Sequence, residues 1–161
     1  MAIINVPAGL SVAKQSWEQI RMDIEFRSMF GAQAVEGSAP LWSTTITASL
    51  KRPELWQALM LQLRGRTNQL ALWNLGKPTP YGTMRGTMTA GATAQGATTM
   101  VVTAAGQAGR TLLTGDFLGV GAGLTQQVVM LTADAAANAS GVITVSFEPA
   151  LRNALSAGST V

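Results

Sequence analysis

The stretch Trp17-Glu18-Gln19-Ile20-Arg21-Met22-Asp23-Ile24-Glu25-Phe26-Arg27 decides the fold class. Ile20, Met22, Ile24 and Phe26 alternate with Arg21, Asp23, Glu25 and Arg27. A period of two puts the apolar side chains on one face of a β-strand and the charges on the other, so we expect a strand buried on one face. Downstream, the small residues from Gly31 to Pro40 read as a loop. A second alternating run, Leu41 to Leu50, places Trp42, Thr44, Ile46, Ala48 and Leu50 on a common face, and its threonines favour β structure. The two strands could pair antiparallel.

The period then changes. Pro53 suits the first position of a helix and Glu54 complements the positive N-terminal end, while Leu55, Trp56, Leu59, Met60 and Leu63 form an apolar stripe at helical spacing. Gly65 is the expected C-cap. A third apolar strand, Gln69 to Leu75, follows and closes in the turn-forming Gly76-Lys77-Pro78-Thr79-Pro80. Trp17, Trp42, Trp56 and Trp73 all fall on these elements, and a shared core is the expectation for them.

Beyond Gly86 the texture turns to Gly, Ala and Thr, and Thr87 to Ala97 taken alone resembles a linker. Strand-forming runs reappear at Thr98 to Thr103, Asp116 to Val120, Gln126 to Thr132 and Val142 to Phe147, separated by glycine-containing turns. Such spacing predicts a small barrel or sandwich. The fold class is therefore mainly β with one α-helix, organised as a β-sandwich plus helix over residues 1–86 and a small β-barrel-like domain over residues 87–161.

Composition narrows the function. The chain is 47% hydrophobic and only 12% charged, about half the roughly 25% of ordinary soluble domains. Past Gly86 only Arg110, Asp116, Asp134, Glu148 and Arg152 carry charge, which suggests surface covered by neighbouring subunits. The net charge of +3 is spread without a basic cluster, so direct nucleic-acid recognition is not expected. No apolar run approaches the roughly 20 residues of a membrane-spanning helix. The segment Met1 to Leu10 lacks a basic n-region and is interrupted by Asn5, Pro7 and Gly9, so synthesis in the cytosol without a cleaved signal is the expectation.

The catalytic inventory is thin. The chain has no Cys and no His, which removes thiol chemistry, the usual neutral-pH proton shuttle and the commonest transition-metal ligand. Asp23 and Glu25 share a strand face but alternate with Arg21 and Arg27, as a solvated or interfacial charged face does. Asp116 and Asp134 lack the spacing of a Ca²⁺ loop. Gly119, Gly121 and Gly123 come without a P-loop lysine. We therefore expect no catalytic residues, no metal and no cofactor. Arg64 and Arg66 flank the helix end, where guanidinium groups suit bidentate interfacial pairing; simple complementation of the helix dipole explains them equally well. Tyr81 is a loop-placed aromatic.

The run Leu55-Trp56-Gln57-Ala58-Leu59-Met60-Leu61-Gln62-Leu63-Arg64-Gly65-Arg66-Thr67-Asn68-Gln69-Leu70-Ala71-Leu72 resembles the helix, "LRGR" turn and strand of the distal tail proteins of long-tailed bacteriophages (siphophages). Pro80-Tyr81-Gly82-Thr83-Met84-Arg85-Gly86 is similar to the Pro-x-Gly-Thr segment of that family, Ala105-Gly106-Gln107-Ala108-Gly109 to its "GAGQTG" turn, Gly115-Asp116-Phe117-Leu118-Gly119-Val120 to its "GDYIQI" strand, and Glu148-Pro149-Ala150-Leu151-Arg152 to its "PPLR" close. The order and spacing of these motifs cover Trp42 to Val161; the Gly/Ala-rich 87–97 stretch departs from the pattern by being longer and blander.

The resemblance implies a non-enzymatic structural protein of the virion. It would be a homo-oligomer, sixfold by analogy, whose ring joins the tail tube protein to the baseplate hub or tail-tip protein. The first domain would form the ring and the second decorate it. Arg64, Arg66, Tyr81 and Arg85 are the candidate interface residues under this reading. The alternatives are another phage ring protein (tube, terminator or connector) and a receptor- or glycan-binding tail module.

Overall fold

A computed structural model describes residues 2–37, 40–49, 51–65 and 67–161. The described residues are mainly β with one α-helix, and the chain forms two compact units: Met1–Glu18 with Ser43–Thr79, and Gln19–Trp42 with Pro80–Val161. This division differs from a single cut at Gly86, because the segment between Gln19 and Trp42 groups with the C-terminal half.

The first unit is built from β1 (Ile3–Asn5), most of β2 (Val12–Ile20), and, from the later segment, the greater part of a strand within Leu41–Ala48, a helix and a short strand. The alternating stretch that decides the fold class is not one strand but two, since β2 ends at Ile20 and β3 (Asp23–Ser28) begins after Arg21 and Met22. β4 (Gly31–Glu36) occupies sequence expected to be a loop, and β5 (Leu41–Ala48) follows. β2 pairs with β5, while β3 pairs with β4. The Ser49 N–H donates to the Ser11 carbonyl at 3.1 Å, and the Thr44 hydroxyl to the Ser16 carbonyl at 2.9 Å.

Helix α1 (Pro53–Leu63) starts with proline at its first turn and turns Leu55, Trp56, Leu59 and Leu63 inward, with Leu59 fully buried. Met60, expected on the stripe, is exposed, as is Leu61. The helix ends at Leu63 and its C-cap is Arg64, one residue before the expected Gly65 and itself in the left-handed region at φ 47°. The Asn68 side-chain amide donates to the Gln62 carbonyl at 2.8 Å and the Asn68 N–H to the Leu63 carbonyl at 3.2 Å; these bonds satisfy carbonyls the helix leaves open. The expected strand from Gln69 to Leu75 is only β6 (Gln69–Ala71), parallel to β1 in the register Ile3↔Gln69. Past Ala71 the chain leaves the ladder: the Leu75 N–H donates to the Gln15 side-chain carbonyl, and the Gln15 amide to the Trp73 carbonyl at 3.2 Å.

The tryptophans do not share one core. Trp73 is exposed, Trp56 donates its indole N–H to the Ser11 carbonyl at 3.3 Å, and Trp42 lies edge-on to Phe117 in the second unit with ring centroids 5.4 Å apart. Strand periodicity places each indole on a face, but which face is covered depends on the neighbours the chain brings to it.

The second unit contains a six-stranded sheet and the principal hydrophobic core. Besides β3 and β4, its strands are β7 (Thr89–Ala90), β8 (Thr99–Thr103), β9 (Thr111–Leu112), β10 (Phe117–Val120), β11 (Gln127–Leu131), β12 (Ala135–Ala136), β13 (Val142–Glu148) and β14 (Ser159–Thr160). The sheet order is β10-β11-β13-β8-β7-β14, and β9 pairs with β12. One hydrogen bond, from the Gly121 N–H to the Thr160 carbonyl at 2.9 Å, links the end of β10 to β14, the two outermost strands. The four strands expected from β-branched runs are present as β8, β10, β11 and β13. Their inward positions, among them Met100, Val102, Leu118, Val120, Val129, Leu131, Ile143, Val145 and Phe147, alternate with outward ones and form the core with Leu112, Leu151 and Met84. The bland 87–97 stretch is part of this fold: Thr89 and Ala90 pair with both β8 and β14, and Thr93 bridges Leu155.

Candidate assembly surface

Two features of the second unit present side chains to the outside in an organised way. The first is the β3–β4 ribbon. Its register runs from Asp23↔Glu36 to Ser28↔Gly31, which leaves Met29 and Phe30 as a two-residue tip. The Ser28 hydroxyl fixes that tip, accepting the Phe30 N–H and donating to the Gly31 carbonyl, both at 3.2 Å. Alternation sends Met22, Ile24 and Phe26 to one face together with Val35, and Asp23, Glu25 and Arg27 to the other.

The sequence leads one to expect the apolar face to be buried. It is not: Phe26 is 60% exposed, Met29 94% and Phe30 96%, and Ile20, Met22, Ile24 and Val35 are exposed as well. The physical reason is that, among the described residues, no second layer covers this two-stranded ribbon. Ribbons of this kind are marginal by themselves in water, and contiguous exposed apolar surface marks an interaction site. On the opposite face two ion pairs form. Arg21 pairs with Asp23 and Arg27 with Glu25, both at 2.9 Å. These pairs are exposed and add little stability. At the tip lies an open, shallow concavity of about 360 Å³ whose lining includes Phe26, Phe30, Gly31 and Ala32.

The second feature is the loop Pro80 to Arg85. Asp116 is fully buried and accepts three backbone N–H groups: Tyr81 at 2.7 Å on Oδ1, and Gly82 and Leu113 at 3.0 Å on Oδ2. The Arg85 guanidinium folds back on the same loop, donating to the carbonyls of Gly82 at 2.6 Å, Met84 at 2.7 Å and Pro80 at 3.3 Å. Met84, between them, is buried in the core, and its N–H donates to the Thr111 carbonyl at 3.0 Å. The result is a pinned loop that holds Tyr81 72% exposed.

The sequence-derived candidates thus separate. Tyr81 and Arg85 lie on this one loop, where Arg85 clamps its own backbone and Tyr81 faces outward. Arg64 is at the end of α1 in the first unit, and Arg66 lies outside the described residues. Sequence reasoning missed the exposed ribbon because alternation reports that a face is apolar, not that something covers it. The signal was available in Gly31-Ala32-Gln33-Ala34-Val35, whose apolar and small residues extend the ribbon opposite β3.

Among the described residues, no three His, Cys, Asp or Glu side chains gather where they could hold a metal ion, and no helix is long and apolar enough to cross a membrane. Asp134, exposed, accepts the Thr114 N–H and hydroxyl, both at 2.8 Å, and these bonds hold its carboxyl below the usual carboxylate range. This is a turn fastening, as its position predicts. No protein-family model matches the chain, and no curated protein sequence matches it.

Proposed function

We propose that this chain is a structural, non-enzymatic subunit of a homo-oligomeric ring in a long-tailed phage particle, placed at the distal end of the tail between the tube protein and the baseplate hub or tail-tip protein. The observation that carries the assembly part of this reading is the β3–β4 ribbon, whose apolar face and tip are solvent-exposed in the single chain. A subunit built to be covered by its neighbours can leave such a face bare in isolation, whereas a protein that works as a monomer gains nothing from it. The distal-tail placement rests on the sequence resemblance from Trp42 to Val161, and the sparse charge of the second half agrees with it.

The mechanism under this reading is geometric. A cyclic assembly uses two different patches on each protomer that close on themselves, and its work is to hold an axis open and to present one annular face to each neighbour. Native mass spectrometry of the purified protein, with negative-stain imaging of the same sample, tests it. A closed ring of about six copies is expected, the symmetry following from heterologous contacts that close. A chain that remains monomeric both alone and with tube protein present overturns the proposal.

A further inference from the structure

The apolar face and tip of the ribbon are chemically uneven. Ile20, Ile24, Phe26, Phe30 and Val35 are plain hydrocarbon, whereas Met22 and Met29 carry thioethers. A thioether packs as a polarisable apolar group, yet a mild oxidant converts it into a polar sulfoxide. Whether that happens in a folded protein depends on access. Met29 is 94% exposed at the tip, where the two bonds of the Ser28 hydroxyl hold the turn that presents it. Met22 is exposed just before β3, on the side of Ile24 and Phe26. Met84 and Met100 are buried in the core of the same unit, and Met60 is exposed on α1 in the first unit.

We infer that Met22 and Met29 make the ribbon a redox-sensitive site: a peroxide converts them to sulfoxides, and the polar surface that results no longer supports assembly. The inference rests on the ring reading above and names a chemical control on the surface that carries it. The step is balanced with hydrogen peroxide as the oxidant. The thioether sulfur attacks one peroxide oxygen, and the O–O bond breaks as the S–O bond forms. Sulfur is oxidised by two electrons, and the departing hydroxide takes the proton of the new S–OH group and leaves as water.

The same oxygen has opposite consequences for folding and for assembly. Neither methionine belongs to the hydrophobic core, so in the single chain the sulfoxide is hydrated and the fold keeps its stability. Covered by a neighbour, it is a strong acceptor withdrawn from water. A polar group buried without a partner weakens association by about tenfold or more. Leucine at these positions keeps the volume and the apolar character but offers no sulfur to oxidise.

The test treats the full chain with hydrogen peroxide, maps the oxidised methionines by peptide mass spectrometry and measures association by analytical ultracentrifugation. Met22 and Met29 are expected to gain one oxygen each while Met84 and Met100 stay unmodified and circular dichroism is unchanged. The association constant falls by about tenfold to 100-fold, and methionine sulfoxide reductases, one for each epimer, restore it. The variant Met22→Leu with Met29→Leu assembles like the unaltered protein and resists peroxide, whereas Met60→Leu remains sensitive. Normal assembly of protein oxidised at both positions overturns the inference and leaves the ring reading intact, as does a double leucine variant that still loses assembly. Oxidation that reaches Met84 or Met100 as fast as Met29 overturns it too, because the selective access of the ribbon is then absent. A protein that is monomeric before any treatment, both alone and with tube protein, overturns both readings.

Discussion

Replacing Asp116 with Ala removes the acceptor for three N–H groups at once, those of Tyr81, Gly82 and Leu113. A hydrogen bond to a charged group contributes about 1.5–3 kcal/mol, and a buried donor left unsatisfied costs about 1–3 kcal/mol. The full sum is not reached, because the Tyr81 amide is only partly buried and regains water, and because deleting a fully buried carboxylate recovers its desolvation cost. We therefore expect a loss of about 3 kcal/mol, which for a chain of this size lowers Tm by roughly 6–12 °C. Urea and thermal unfolding followed by far-ultraviolet circular dichroism measure it. Asp116→Asn separates the roles of the two oxygens. Its one carbonyl can serve the Gly82 and Leu113 amides while its NH₂ opposes the Tyr81 N–H, so it should lose about half as much. A loss below about 1 kcal/mol for Asp116→Ala would refute the reasoning and show that the loop is held by other contacts.

Other substitutions probe the same unit and the assembly surface. Gly82→Ala places a Cβ against the Thr111 carbonyl and 2.7 Å from the Leu112 Cα; backbone cannot yield cheaply, and urea unfolding should show a loss of about 2–3 kcal/mol. Arg85→Met keeps the aliphatic stem and deletes the donors to the Pro80, Gly82 and Met84 carbonyls; we expect about 1–2 kcal/mol of destabilisation and faster proteolysis between Pro80 and Gly86. The Asp134 carboxyl is lowered from 3.8 by its bonds to Thr114, so its contribution is fully present above that ordinary value and is lost as pH falls through the lowered native one. Asp134→Asn should accordingly lower stability slightly near neutrality and flatten the profile in acid, where the unaltered protein loses the same contribution and the two converge. Phe30→Ser with Met29→Ser removes the two most exposed apolar side chains of the tip without touching the core, so Tm should stay within about 1 °C while analytical ultracentrifugation shows weaker self-association.

Much of the second unit was legible in advance. The runs that became β8, β10, β11 and β13 are β-branched, alternate, and are bounded by glycine turns, and local chemistry of that kind survives into the fold whatever surrounds it. The short strands β7, β9, β12 and β14, each two residues long, have no periodicity to detect. They exist because longer strands offer them an edge. Asp116 shows the same limit for a single residue: in sequence it is an ordinary turn acid between Gly115 and Phe117, and only the return of Tyr81 and Gly82 to its carboxylate makes it a buried anchor. Of the candidate interface residues, Tyr81 could be recognised as loop-placed from its Pro80 and Gly82 neighbours, whereas the inward fold of Arg85 could not be anticipated from residue type.

By itself the sequence determined the class of structure: alternation with a period of two, one proline-initiated helical stripe from Pro53, glycine punctuation, and an inventory without His or Cys. These are consequences of backbone geometry and side-chain chemistry that act over a few residues. Only the tertiary structure decided which apolar faces are covered. Ile143, Val145 and Phe147 alternate in β13 much as Met22, Ile24 and Phe26 do along the ribbon, yet the first set is buried and the second is exposed. The difference lies in the neighbours. β13 sits between β11 and β8 in a six-stranded sheet over a common core, whereas among the described residues β3 pairs with β4 alone, and burial is a property of what the rest of the chain brings to a face.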